Sequence, residues 1–188
     1  MLALYVYTPL SLAGALVISG EVKEAREFYA AAADLAPNRG FADSIWLEEA
    51  ENTGDLKALP DPDLPITAKH RAALIVAQQA LTSTEAGAKA QAVRALLALP
   101  QDDQDEIVAR LLADLGAPHD AFQITRRLLI ERRASPAFLW DPRMRPVLDD
   151  PGLPPTMKVV GLLDYWRKSD SKPDVCIGSR PPLLCSAI

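Results

Sequence analysis

The side chains that could do chemistry are few, and they lie far apart. Two histidines, His70 and His119, fall on different expected elements. His70, on a mostly apolar helix, reads as a structural residue, and His119 reads as an exposed one in a helix's first turn. The acidic run Asp102, Asp103, Asp105 and Glu106 invites a cation, but it lacks the glycine and the ligand spacing of a calcium loop. Negative charge at a helix start explains it better, because the N-terminal end of the helix dipole favours carboxylates. Cys176 and Cys185 have no neighbouring histidine and make a poor zinc site. They are either a disulfide of an oxidising compartment or two unpaired thiols. With no glycine-rich phosphate loop, no metal-ligand spacing and no nucleophile elbow, the sequence points to no catalytic residue, no metal and no cofactor. The expectation is a protein that is not an enzyme.

Composition then bounds the elements. The chain has 188 residues, enough for one domain with a core, and 49% of them are hydrophobic while only 6% are aromatic. Abundant alanine with few aromatics favours helices packed at close range over a sheet, so the fold class is all-α. The net charge of -5 argues against a general attraction to nucleic acid. Arg126, Arg127, Arg132 and Arg133 recur with helical spacing and read as a solvated helix face. The first eighteen residues carry no charged side chain. That is the lower edge of a membrane span, but Thr8, Pro9, Ser11 and Gly14 interrupt the run and no Lys or Arg precedes it. A buried helix of a soluble protein is expected there, without membrane insertion.

Residues 2–19 should form the first helix and residues 22–35 the second, turned at Gly20. In the second, Val22, Ala25, Phe28, Tyr29 and Ala32 share one face at i, i+3 and i+4, while Lys23, Glu24, Arg26 and Glu27 take the solvent side. Ala25 and Ala32 leave room for a neighbouring helix, Tyr29 fills the gap, and Pro37 cannot continue the helix. This stretch, Gly20 to Pro37, resembles the tetratricopeptide repeat, a helical hairpin of about 34 residues.

Further helices are expected over residues 41–52, 66–82, 89–99, 102–115 and 118–133, with an extended segment at 61–65 where Pro60, Pro62 and Pro65 forbid helix. Turn glycines at 20, 54, 87 and 116 are spaced 34, 33 and 29 residues apart. The first repeat matches well and the later ones are degenerate. Residues 1–134 therefore read as tetratricopeptide-like repeats forming a right-handed α-solenoid.

From residue 135 the texture changes, with prolines at 136, 142, 146, 151, 154 and 155. Short helical turns should wrap the last repeat, and a helix over 155–168 should cap the open end of the array. Residues 135–170 are thus a capping segment and residues 171–188 a loose tail. Trp140-Asp141-Pro142, Leu148-Asp149-Asp150-Pro151, Gly161 to Arg167 and Pro173-Asp174-Val175-Cys176 resemble the C-terminal end of bacterial regulatory proteins with tetratricopeptide-like repeats. In that group the repeats follow a winged-helix or nucleotide-cyclase domain. The chain departs from the pattern at Gly152 and Val175, where aromatics are usual, and at Lys172, where a tryptophan is usual. Neither a winged helix nor a cyclase lies in these residues, so no direct nucleic-acid binding is expected, and the chain fits the C-terminal piece of a longer regulator.

The family geometry implies a concave surface carrying Glu48 and Asn52, with Ser44 and Glu51, from one repeat and Glu106 and Arg110, with Asp103 and Asp114, from a later one. These expectations make the chain a protein-interaction or sensor module of a bacterial regulator that takes a basic or polar peptide, or a protein partner. The alternative is a structural oligomerisation domain, a homodimer paired through the uncapped apolar first helix. The compartment stays open, the bacterial cytoplasm being slightly favoured over the periplasm.

Overall fold

A computed structural model describes residues 2–36, 45, 48, 49, 66–169 and 171–188. Among them every regular element is helical, α or 3-10, as the alanine-rich composition requires. The chain divides into two compact units, Met1–Gln78 and Gln79–Ile188. The helix expected over residues 41–52, the extended segment at 61–65 and the turn at Gly54 lie largely or wholly outside the described residues.

The first unit is built on a hairpin of α1 (Leu2–Ser19) and α2 (Val22–Asp34), with the first part of α3 (Ala68–Thr82) also assigned to it. Gly20 takes φ of 89°, its N–H donates to the Val17 carbonyl at 3.0 Å, and the Glu21 N–H donates to the Leu16 carbonyl at 2.8 Å. This left-handed cap closes two carbonyls that the end of α1 would otherwise leave open. The hairpin buries Val6, Ala13, Ala25, Tyr29, Ala32 and Ala33, joined by Ile45. Alanines at 25 and 32 let the backbones approach, and Tyr29, fully buried, supplies most of the volume between them. In α3, His70 is buried and its N–H donates to the Thr67 hydroxyl at 3.0 Å, a cap on the helix start.

The second unit contains α4 (Ala88–Leu97), α5 (Glu106–Asp114), α6 (Pro118–Ile130), α7 (Leu153–Val159) and α8 (Leu162–Ser169). α5 and α6 form a second hairpin with the same turn. Gly116 has φ of 85°, its N–H reaches the Ala113 carbonyl at 3.1 Å, and the Ala117 N–H reaches the Leu112 carbonyl at 2.8 Å. At the centre lies a 3-10 segment, Pro142–Asp149, which touches α5, α6, α7 and a last 3-10 turn, Leu183–Ala187. Leu96, Leu112, Leu139, Met144, Leu148, Leu153, Met157 and Leu184 are the unit's largest fully buried side chains.

Two of the expected helices need correction. The helix expected over 102–115 starts at Glu106, because Asp102 and Asp103 belong to a separate 3-10 turn, Gln101–Asp103, that follows Pro100. Asp105 is then the cap, its Oδ1 accepting from the N–H groups of Ile107 and Val108, both at 3.1 Å. The helix expected over 155–168 is two helices, α7 and α8, since Gly161 adopts φ of 83° and breaks the run.

Nor are residues 171–188 loose. Leu184 is fully buried, the Leu183 N–H donates to Asp149 Oδ1 at 2.8 Å, and Cys176 and Cys185 form a disulfide. Arg145 donates to the Arg180 carbonyl, and Arg167 to that of Ala187. A leucine that finds an apolar seat and a cross-link that shortens the free chain hold the tail on the unit.

Candidate interaction surfaces

The residues expected on the concave surface fall in different places. Glu48 is half-buried in the first unit, where its Oε1 accepts from the Tyr29 hydroxyl at 3.5 Å. Its neighbour Glu49 lies 4.0 Å from Arg26. Asn52 lies outside the described residues. Glu106 and Arg110 belong to the second unit, one turn apart on α5 and 4.0 Å from each other. Arg110 is only 14% exposed at its side chain and reaches Asp141 Oδ2 at 3.7 Å.

Asp141 is the anchor of this polar cluster. Its Oδ1 accepts from the Arg143 backbone N–H at 2.9 Å and from Arg143 Nε at 3.0 Å, and its Oδ2 accepts from Arg143 Nη2 at 2.5 Å. Burial pushes the Asp141 carboxyl up, but the hydrogen bonds and charge of Arg143, with the charge of Arg110, more than reverse this and hold it below its ordinary value. Glu106 is raised by burial, an effect that Arg110 opposes and Asp105 reinforces. Asp114, one turn beyond Arg110, is raised too, by burial first and by the Asp141 charge, against the pull of Arg143. The cluster ties α5 to the Pro142–Asp149 segment. Of Glu106 and Arg110, Glu106 has the more exposed side chain.

A second constellation joins α6 to the entry of α7. The Nδ1–H of His119, in the first turn of α6, donates to Asp150 Oδ2 at 2.9 Å. Asp150 is buried, and its Oδ1 accepts from the Gly152 N–H at 2.8 Å, which opens α7. With the proton on Nδ1, Nε2 faces the Gln123 amide nitrogen at 3.3 Å. Both ring nitrogens are thus engaged, and the histidine works as a clasp between elements.

Gly152 is required here by space. A Cβ on it would lie 2.4 Å from Phe122 Cζ and 2.5 Å from Cε1. A larger side chain at this position has no room, because the buried Phe122 ring already fills it.

Beside this clasp, α6 and the α7–α8 pair enclose two adjoining depressions. One, of about 430 Å³, is lined by Leu129, Ile130, Arg133, Ala134, Pro136, Val159, Val160 and Leu162. The other, of about 360 Å³, is lined by Phe122, Gln123, Arg126, Ile130, Gly152, Pro155, Thr156 and Val159. They share Ile130 and Val159. The break at Gly161 shapes the first, and Val159 is left 69% exposed at the junction.

No family model, curated protein or solved structure matches this chain.

The arginines of α6 and of the turn that follows it divide their work. Arg127 Nη2 donates to Gln104 Oε1 at 2.8 Å, and the Gln104 amide in turn donates to the Leu97 and Leu99 carbonyls at 3.2 and 3.0 Å. Arg132 Nη2 donates to Asp102 Oδ1 at 2.7 Å and to the Gln101 carbonyl at 2.9 Å. These two hold the connection between α4 and α5. Arg126 and Arg133, both exposed, line the depressions instead. Arg133, three residues past the end of α6, adopts φ of 52°, and the Ala134 N–H returns to the Leu128 carbonyl at 3.0 Å. Sequence periodicity treats the four as one solvated face. The signal that separates 126 from 127 is their adjacency, since adjacent helical residues point about 100° apart, while 132 and 133 lie beyond the end of α6. Among the described residues no group of His, Cys, Asp or Glu is placed to hold a metal ion, and no helix is long and apolar enough to cross a membrane.

Proposed function

We propose that this chain is a protein-interaction or sensor module of a bacterial regulator, without enzymatic activity of its own, that binds a peptide or protein partner through a helical-repeat surface. The right-handed tetratricopeptide-like solenoid belongs to the same proposal, supported by two hairpins turned by the same glycine cap. The observation that carries it is the open apolar trough along α6, with Val159 exposed at its centre. Apolar surface left in a concave, arginine-edged setting gains most by receiving a partner. Within the second unit, Glu106 is the more accessible member of the Glu106–Arg110 pair and offers an alternative polar contact. The Cys176–Cys185 bond favours an oxidising compartment, against the cytoplasmic expectation.

Panning a random phage-displayed peptide library on the whole chain tests the reading, with Val159→Arg as the comparison. Clones that bind the parent and not the variant support the trough. Clones indifferent to Val159→Arg but lost with Glu106→Lys would move the site to the polar face. Absence of any enriched clone sinks the interaction reading.

One observation favours self-association as a second reading. Tyr7 and Leu12 are exposed on α1, a helix with no charged side chain. Light scattering decides, because a strict monomer at high concentration, unchanged by Leu12→Asp, removes this alternative.

A further inference from the structure

We infer that the trough between α6 and α7–α8 takes an amphipathic helix with acidic edges. This rests on the interaction reading above and adds the chemistry of the partner. The lining contains two charged residues, Arg126 and Arg133, and no carboxylate, in a chain whose net charge is -5. A local reversal of sign against the protein's own excess selects a negative partner and repels a positive one. The two depressions meet at Ile130 and Val159, so the occupant presents one continuous apolar ridge.

Backbone chemistry chooses a helix over a strand. The walls between the two arginines are mainly side chains of Ile130, Pro155, Val159, Val160 and Leu162. An extended peptide laid there would bury N–H and C=O groups against carbon, whereas a helix satisfies its own. Arg126 lies on α6 and Arg133 three residues beyond its end at Ile130, and each lines a different one of the two depressions. Carboxylates on the partner's two edges meet these two cations. Arg127 and Arg132, held by Gln104 and Asp102, do not compete for them.

The test compares the composition of the clones from library panning and their response to charge reversal. Expected are apolar residues at i, i+3, i+4 and i+7 flanked by Asp or Glu. As synthetic peptides these should lose about tenfold in affinity on Arg126→Glu with Arg133→Glu, and weaken steeply with salt. Both arginines are exposed, so the double variant should keep its fold, checked by circular dichroism. Basic or neutral clones that still depend on Val159 would overturn the acidic partner while leaving the interaction reading standing. So would acidic clones whose binding ignores the double reversal. A proline-rich consensus would overturn the helix. If nothing is enriched, both readings fall together.

Discussion

The hairpins α1/α2 and α5/α6 make the same turn and have very different surroundings. In each, a glycine near φ of 87° donates three residues back and the next N–H donates five residues back, with distances that agree within 0.1 Å. The first hairpin closes on alanines around a single aromatic, Tyr29, and leaves Tyr7 and Leu12 exposed. The second is covered by the Pro142–Asp149 segment, with α7 on α6 and the disulfide-bonded tail on that segment and α7. A turn is therefore a local property of sequence, while the burial of a hairpin's faces depends on what the rest of the chain lays over it. The comparison can be broken at the core, at the cover and at the turn.

The largest effect belongs to the core of the first hairpin. Tyr29→Ala removes a fully buried ring from among alanines that cannot move in to fill the space, and should cost about 3–5 kcal/mol in chemical unfolding. Leu112→Ala, in the well-covered second hairpin, should fall within about 2–5 kcal/mol. If Tyr29→Ala costs under about 1 kcal/mol, the first hairpin does not depend on its aromatic.

The cover comes next. Cys176 and Cys185 close a loop with a sequence separation of 9, and loop-closure entropy assigns such a bond about 2–3 kcal/mol. Cys176→Ser with Cys185→Ser should lower stability by that amount and raise hydrogen exchange at the Leu183 N–H, which now bonds Asp149. Unchanged exchange there would mean that Leu184 alone seats the tail.

A similar or slightly smaller loss is expected at Asp141, which binds Arg143 and Arg110 between α5 and its cover. Asp141→Asn should cost about 1.5–3 kcal/mol at neutral pH. The folded carboxyl sits below its ordinary 3.8, so its stabilisation is present above that value and is lost as pH falls through the lower folded one. Parent and variant should therefore converge in acid below pH 3.8. Glu106 and Asp114, both raised, act with the opposite sign: their contribution is full below 4.5 and 3.8 and is lost as pH rises through their folded values. Asp114→Asn should consequently leave neutral-pH stability unchanged or improved. A parent and Asp141→Asn that stay equally far apart in acid would remove the ion cluster from the account.

Helix identity and turn position were legible because both are local. Gly20 and Gly116 mark left-handed positions, and the stripes around Tyr29 and Leu112 recur at helical period. What periodicity could not supply was pairing across about thirty residues. The Arg110–Asp141 and His119–Asp150 contacts, each spanning 31 positions, need the chain to fold back first. The trough was hidden for the same reason, since α6 and the residues at 152–162 that wall it lie more than twenty positions apart, and part of that wall, Val160 and Leu162, flanks the break at Gly161. That glycine stood inside Val159-Val160-Gly161-Leu162 and was the available sign. The need for glycine at 152 was equally hidden, because its cause, the Phe122 ring, is a contact and not a pattern. The burial of Leu184 had no sequence signal beyond the two cysteines around it.

The smallest effect is also the strictest check on whether the two turns are equivalent. An alanine at φ near 87° suffers the Cβ–carbonyl crowding that costs about 1–2 kcal/mol, and around both glycines the added Cβ would meet nothing within 4 Å. With space excluded as a cause, Gly20→Ala and Gly116→Ala should be destabilised equally. Gly14 supplies the control with the opposite sign: it lies inside α1 in equally open space, so Gly14→Ala should gain about 0.5–1 kcal/mol from helix propensity alone. Unfolding midpoints of the three variants, measured under one condition, read the pattern directly. A loss at Gly116 well beyond that at Gly20 would mean that the cover on the second hairpin transmits the distortion of its turn, and the two hairpins would then differ in their turns as well as in their surroundings.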